Sequence, residues 1–450
     1  MLKKTIARIA SLLLFLSIIS CFILPISAFE INGLPDVTNA NCVYFYNLDA
    51  KKVILKKGGG AKISPASSTK IMTGLIACEA LSERLDETVT VTKEMISPNQ
   101  GTSMRLSAGD TLSIRSLLYA SICGGFNDAT LALAHVCGGS HKEFVSLMNE
   151  RAAELGALNT KYANPTGFDA NDQYTTLEDV ILISKAAIDN ALYMEISSTK
   201  SKSIEFLNQK EAFTVHNRNG LIGSYYAEGY VNKSAQGLIA GMTDLGGHCV
   251  ITKASVNNSD YLCIVMGGKD IEGKITSYTI ANDLISYAST HLGFQTLMKQ
   301  GELICTIPID FALDGVKSTE QGDVLNVRTS KDVIAFIPSG IEATRLSYRY
   351  YLYSERLTAP IASGTVVGAL DFYIDGEYLT SVPLTVNSDV TENTFLTAME
   401  SMKKAVIGRT TLLILSFFII LSLIRLLLLQ NHKRKQVKEI KLKRYKKTQG

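Results

Sequence analysis

Ser67 and Lys70 stand three residues apart in the segment Ser64-Pro65-Ala66-Ser67-Ser68-Thr69-Lys70-Ile71-Met72-Thr73. On a helix, that spacing puts a hydroxyl and an amine on one face. A serine hydroxyl is a weak nucleophile until a neighbouring base takes its proton, and a lysine amine withdrawn from water can act as that base. A helix N-terminus beside the pair favours the negative charge that develops during attack. The chemistry this arrangement serves is acyl transfer through a serine ester. Pro65, followed by apolar Ile71, Met72, Leu75, Ile76 and Leu81, predicts a buried helix over 66–83 with Ser67 in its first turn. Ser197 with Lys200 and Ser401 with Lys404 repeat the spacing, but the first runs into polar Ser201-Lys202-Ser203 and the second precedes a long apolar run. Neither opens a buried helix.

Further helix-period patterns cover 113–138, 140–157 and 176–196, while 38–55 and 262–267 read as strands, so the body is mixed α/β. From Glu302 to Val386 the pattern changes to short strands such as 333–337, 344–353 and 366–373, with Asp375-Gly376 as a hairpin turn. This reads as a small all-β domain. Tyr348, Tyr350, Tyr351 and Tyr353 have the composition of a glycan platform, but alternation of Leu346, Tyr348 and Tyr350 predicts that this set is buried on one strand face. Gly58-Gly59-Gly60 reads as a hairpin turn, since no phosphate-binding lysine or helix start follows it. Residues 390–405 read as a helical or mixed connection.

The chain has 450 residues, 46% of them apolar and 19% charged, with a net charge of +3. That composition excludes a disordered chain. Nine lysines and arginines between 433 and 447, against Glu439, place +8 in the tail, and Lys3, Lys4 and Arg8 place +3 at the start. The residues between therefore carry −8, which argues against nucleic-acid binding by the body. The basic start, the apolar run 9–26 and the Ser27-Ala28 finish have the form of a signal peptide at 1–28, with the mature chain beginning near Phe29. Residues 410–429 carry one charge, Arg425, and at helical rise span roughly 30 Å, a hydrocarbon core. The basic tail at 430–450 then belongs in the cytoplasm. Of eight cysteines, Cys78, Cys123, Cys249 and Cys263 lie in apolar stretches and read as buried thiols; neither cysteines nor histidines show metal spacing.

Pro65 to Thr73, Phe126-Asn127-Asp128-Ala129, Leu147-Met148-Asn149, Glu154-Leu155-Gly156, Asn164-Pro165-Thr166-Gly167 and Tyr174-Thr175-Thr176 follow one another in an order that resembles the serine D-alanyl-D-alanine carboxypeptidases, the low-molecular-mass penicillin-binding proteins. The resemblance implies an α/β penicillin-recognising domain, β-lactamase/transpeptidase-like, at 29–295. A β-rich second domain at 300–388, a connection at 389–409 and a membrane helix at 410–429 follow. It implies peptidoglycan pentapeptide stems as substrate, β-lactams as ligands, no cofactor and no metal, with the domain on the cell-wall side of the membrane. By the same resemblance Ser67 is the nucleophile, Lys70 the general base and acid, and Asn127 an orienting group. The backbone N–H groups of Ser67 and Met242 would form the oxyanion hole.

Two of the family's three motifs are altered. Gly125 stands where a Ser-x-Asn serine precedes Asn127, and Ile239 and Ala240 stand where Lys-Thr precedes Gly241. Lys233 could replace the lost cation only if its strand paired in another register. The losses predict weaker capture of the substrate's terminal carboxylate, and a less depressed Lys70 pKa because a neighbouring cation is gone. Two readings follow: a working carboxypeptidase, or a degenerate relative that binds peptidoglycan or a cell-surface partner without turnover.

Overall fold

Alternate residues of Cys-Val-Tyr-Phe-Tyr-Asn at 42–47 feed two different cores, Cys42 and Tyr44 one and Val43 and Phe45 the other, so this strand is buried on both faces. The structure, a computed structural model, describes residues 31, 33–208, 211–319 and 322–447. The expected signal peptide lies outside them. Two compact units emerge, one from the described residues up to Gln295 with Phe336–Arg345, the other from Thr296–Ala335 and the described residues from Leu346 on.

In the first unit, β1 (Cys42–Asn47), β2 (Lys52–Lys57), β3 (Ala235–Thr243), β4 (Gly247–Val256) and β5 (Ser259–Gly268) form one antiparallel sheet in the order β2-β1-β5-β4-β3. One face packs on α1 (Thr69–Leu81), α2 (Ile114–Leu118), α3 (Asn127–Gly138), α4 (His141–Glu154), α5 (Leu177–Asp189) and α6 (Ala191–Ser198). The other packs on α7 (Thr276–His291) through Ile280, Ala281, Leu284, Ile285 and Ala288. A sheet covered on both faces explains the near-continuous apolar runs of β4 and β5.

Several predicted helices are interrupted. A 3₁₀ turn, Ala66–Ser68, precedes α1. The 113–138 pattern divides into α2, a π-helical turn at Tyr119–Cys123 and α3, and the break holds Gly125 at φ +66°. Asn190, at φ −90° and ψ +108°, separates α5 from α6 and accepts from the Tyr193 N–H. Gly58–Gly60 is not the hairpin turn: β1 and β2 are joined by 48–51, and the glycines leave β2 at positive φ.

The second unit holds β6 (Leu303–Asp310), β7 (Gly322–Thr329), β8 (Leu346–Leu352), β9 (Leu357–Thr358), β10 (Val366–Ile374) and β11 (Glu377–Val386) in the order β8-β10-β11-β7-β6-β9. Asp375 and Gly376, both at positive φ, make the predicted tight turn. Its core is Ile307, Leu325, Val327, Leu370, Phe372, Val382 and Leu384. Burial of Tyr348 and Tyr350 does not occur: they are 54% and 48% exposed. Strand β8 is an edge with one neighbour, and alternation names a face without supplying a layer to cover it. From Thr394 a single helix, α8, runs unbroken to Lys447.

Candidate active site

Pro65 and the left-handed Ala66, at φ +46°, bend the chain into the 3₁₀ turn that presents Ser67. Ala66 is fully buried, and the loop glycine Gly167 lies against its carbonyl, where any Cβ would overlap. The Ser68 hydroxyl donates to Pro65 O at 2.5 Å, whereas the Ser67 hydroxyl is half-exposed and has no partner among the described residues. Of the two adjacent serines, one is structural and one faces the groove.

Lys70, 5% exposed, sits one turn deeper and donates from Nζ to Thr166 O at 2.6 Å. That carbonyl is aimed by Asn164, whose Oδ1 accepts from the N–H groups of Thr166 and Gly167 at 3.1 and 2.8 Å. Thr73 Oγ1 pins the same loop through Pro165 O. Burial pulls the Lys70 ammonium from the usual lysine range to about 8, and the charge of Arg218 adds to that effect. Burial is the main cause of that depression, and a cation at 239, where Ile239 stands, would add to it.

Asn127 opens α3 beside Ser67 and Lys70 in the same groove of about 500 Å³. Its N–H donates to Thr102 O and its Nδ2 to Gln100 O, so the side-chain nitrogen is occupied and Oδ1 is buried without a partner. An unpaired acceptor there is available to an amide N–H of a ligand. The hydrogen bond to Ser67 or Lys70 expected of an orienting group is not formed. Neighbouring Asp128, fully buried, holds the loop over the site by accepting from Ser103 Oγ and the N–H groups of Met104 and Leu106.

The opposite wall is β3, the sheet edge, packed against the Ser67 turn. Its register pairs Ile239 with Ile251, Ala240 with Val250, Gly241 with Cys249 and Met242 with His248. Ser255 N–H donates to Ser234 O, which fixes Lys233 at the far end of the strand, exposed and outside the groove lining. A register that would bring Lys233 to the site is not adopted. Ile239 and Ala240 are 2% and 3% exposed, and they belong to the cores on opposite faces of the sheet. Gly241 is held to glycine by sterics, because a Cβ there would overlap the Ser67 hydroxyl. Burial pushes the neighbouring Cys249 thiol up to about 11, so it stays neutral beside the nucleophile.

Two contributors escape sequence reasoning. Asp169 accepts from Ser64 Oγ, Thr243 Oγ1 and the Leu245 N–H at 2.9–3.0 Å, tying the end of β3 to the segment that leads into the Ser67 turn. Arg218 lies across the groove and donates from Nη2 to Thr102 Oγ1 at 2.6 Å. Asp169 lies two residues past the Asn-Pro-Thr-Gly segment, which was a usable signal; nothing near Arg218 in sequence marks it.

A family model described as D-alanyl-D-alanine carboxypeptidase matches residues 34–270, and one described as penicillin-binding protein 5, C-terminal domain, matches 315–392. The chain is 30% identical over 352 residues to the D-alanyl-D-alanine carboxypeptidase DacC of Escherichia coli, covering 76% of this chain and 82% of that one. It is 25% identical over 357 residues to DacF of Bacillus subtilis, covering 78% and 86%. Penicillin binding protein 5 from Haemophilus influenzae has the same fold, with a TM-score of 0.53 at 23% identity over 80% of this chain and 99% of that one.

Proposed function

The chain belongs to the D-alanyl-D-alanine carboxypeptidase family, and from that premise we propose that it is a serine-type carboxypeptidase that removes the terminal D-Ala from peptidoglycan pentapeptide stems. The observation that carries this reading is the Ser67–Lys70 pair: a free hydroxyl at the groove, and a buried amine whose proton is lost near pH 8. Neutral Lys70 accepts the Ser67 proton as Oγ attacks the carbonyl carbon of the penultimate D-Ala. The backbone N–H groups of Ser67 and Met242 stabilise the oxyanion. Lys70 then gives that proton to the departing amine as the C–N bond breaks, leaving a serine ester and free D-Ala. Water, deprotonated by Lys70, attacks the ester, and the proton returns to Ser67. Asn127 Oδ1 accepts an amide N–H of the stem. β-Lactams enter the same acylation step.

Because the base must be neutral, the rate of β-lactam acylation should rise about tenfold from pH 6 to 7 and level off above 8. Fluorescent-penicillin labelling of the full chain in detergent between pH 6 and 9.5 measures this. A flat profile, or one still climbing steeply at 9.5, contradicts the assignment of Lys70.

We further propose that α8 anchors the protein. Its residues 401–440 are exposed, and 394–440 include a stretch of mean hydropathy 2.9, long enough to cross a bilayer; 410–429 would span it, with 430–450 in the cytoplasm and the catalytic unit on the cell-wall side. The full chain should stay in the membrane fraction after an alkaline carbonate wash, while a chain ending before Thr394 should be released. Release of both would refute the anchor.

A further inference from the structure

A substrate ending in D-Ala carries a carboxylate into the groove, and the strand positions that would meet it with a cation and a hydroxyl hold Ile239 and Ala240, both buried and apolar. A carboxylate left without a partner in a half-dry cleft binds poorly. The lining offers few alternatives. Among its described residues the basic groups are Lys70, Arg218 and His248. Lys70 is committed to Thr166 O and holds its proton loosely, and burial lowers the His248 pKa, so neither is a dependable cation. The remaining basic group is Arg218.

Its placement is fixed from several sides. The Arg218 N–H donates to Cys123 O at 2.8 Å, which ties it to the end of the π-helical turn. The side chain runs beside Gly125, where a Cβ would make ordinary contact with Arg218 Cγ at 3.4 Å. The guanidinium rests 4.5 Å from the centre of the Tyr226 ring, and Nη2 reaches Thr102 Oγ1. No carboxylate pairs with it among the described residues. The groove carboxylate Asp169 accepts instead from Ser64, Thr243 and Leu245, and Asp244 is exposed. A preorganised arginine with unused N–H donors, half-buried, aromatic-stacked and lacking an acid, is a receptor for a planar anion.

We propose that Arg218, steadied by Thr102, is the residue that recognises the substrate's C-terminal carboxylate in this protein, from the Asn127 wall of the groove and not from strand β3. The inference rests on the groove being a D-Ala-D-Ala site and names how that site reads its substrate.

The test measures binding, so it does not depend on turnover. In the full chain carrying Ser67→Ala, fluorescence anisotropy gives the affinity for a labelled acyl-L-Lys-D-Ala-D-Ala peptide and for its C-terminal amide. The acid should bind at least tenfold more tightly than the amide. Arg218→Gln should weaken the acid by about 10- to 100-fold and leave the amide within about twofold, and Arg218→Lys should restore part of the preference. Should Arg218→Gln melt early, Thr102→Val serves as the second variant: it keeps the shape of the site and should reduce the acid preference alone, by a smaller factor. An acid-to-amide ratio unchanged in Arg218→Gln, or equal loss for both peptides, overturns the proposal. If the ratio behaves as expected while the unmodified chain releases no D-Ala, the clamp stands and the catalytic reading falls.

Discussion

Ser67→Ala is expected to eliminate the covalent β-lactam adduct and to reduce D-Ala release by a factor on the order of 10⁴ to 10⁶, because removing a serine nucleophile disables the whole acylation sequence. No neighbour can take its place. The Ser68 hydroxyl is buried and donates to Pro65 O, pointing back into the turn and away from the groove. Ser197 is 1% exposed and donates to Met194 O, and Ser401 lies on the long C-terminal helix. The alanine should also leave the fold intact, since the Ser67 side chain makes no hydrogen bond that the structure relies on. Intact-mass analysis after β-lactam treatment, with Ser67→Ala beside Ser68→Ala, makes the comparison. An adduct that survives in Ser67→Ala would show that another residue is the nucleophile.

Lys70→Met should lower acylation by roughly a thousandfold, the scale of a lost general base, and should change how stability depends on pH. The folded state holds the Lys70 proton with a pKa of about 8, against 10.5 for an unburied lysine, so folding disfavours the charged amine. The resulting penalty, about 3 kcal/mol for that difference, is fully present below pH 8 and disappears as pH rises to 10.5. Methionine carries no such penalty but leaves Thr166 O without its donor, which costs about 1–3 kcal/mol at every pH. Relative to the parent, Lys70→Met should therefore be most favourable near neutrality and lose ground steadily between pH 8 and 10.5. Thermal midpoints of both proteins across that range measure the gap. A gap that does not move with pH would mean that Lys70 titrates like an exposed lysine.

The local parts of the site were legible because they rest on local rules. Pro65 with the apolar residues from Ile71 to Leu81 announces a buried helix start, and that alone places Ser67 and Lys70 and sets aside Ser197 and Ser401. The β-rich unit was equally readable from its alternation and from Asp375-Gly376. Long-range features were not. Arg218 meets Thr102 across 116 positions, and Asp169 meets Ser64 across 105, so neither contact leaves a pattern in any window of sequence. The depth of Lys70 was illegible for a related reason: counting lost cations says nothing about burial, and burial is the largest influence on its pKa. The tyrosines of β8 show the same limit, since period two gives a facing but not a covering layer. Gly125 and the buried pair Ile239 and Ala240 read as damage in sequence. In the folded groove they share the lining with an arginine that runs beside Gly125.

The most direct measurement is D-Ala release from a pentapeptide stem by the full-length protein in detergent at pH 8, with Ser67→Ala as the blank. The account predicts steady, Ser67-dependent release at rates within the ordinary enzyme range, on the order of 1 per second, falling as pH drops below 8. A folded protein that labels with penicillin at Ser67 yet releases no D-Ala above the blank would contradict it.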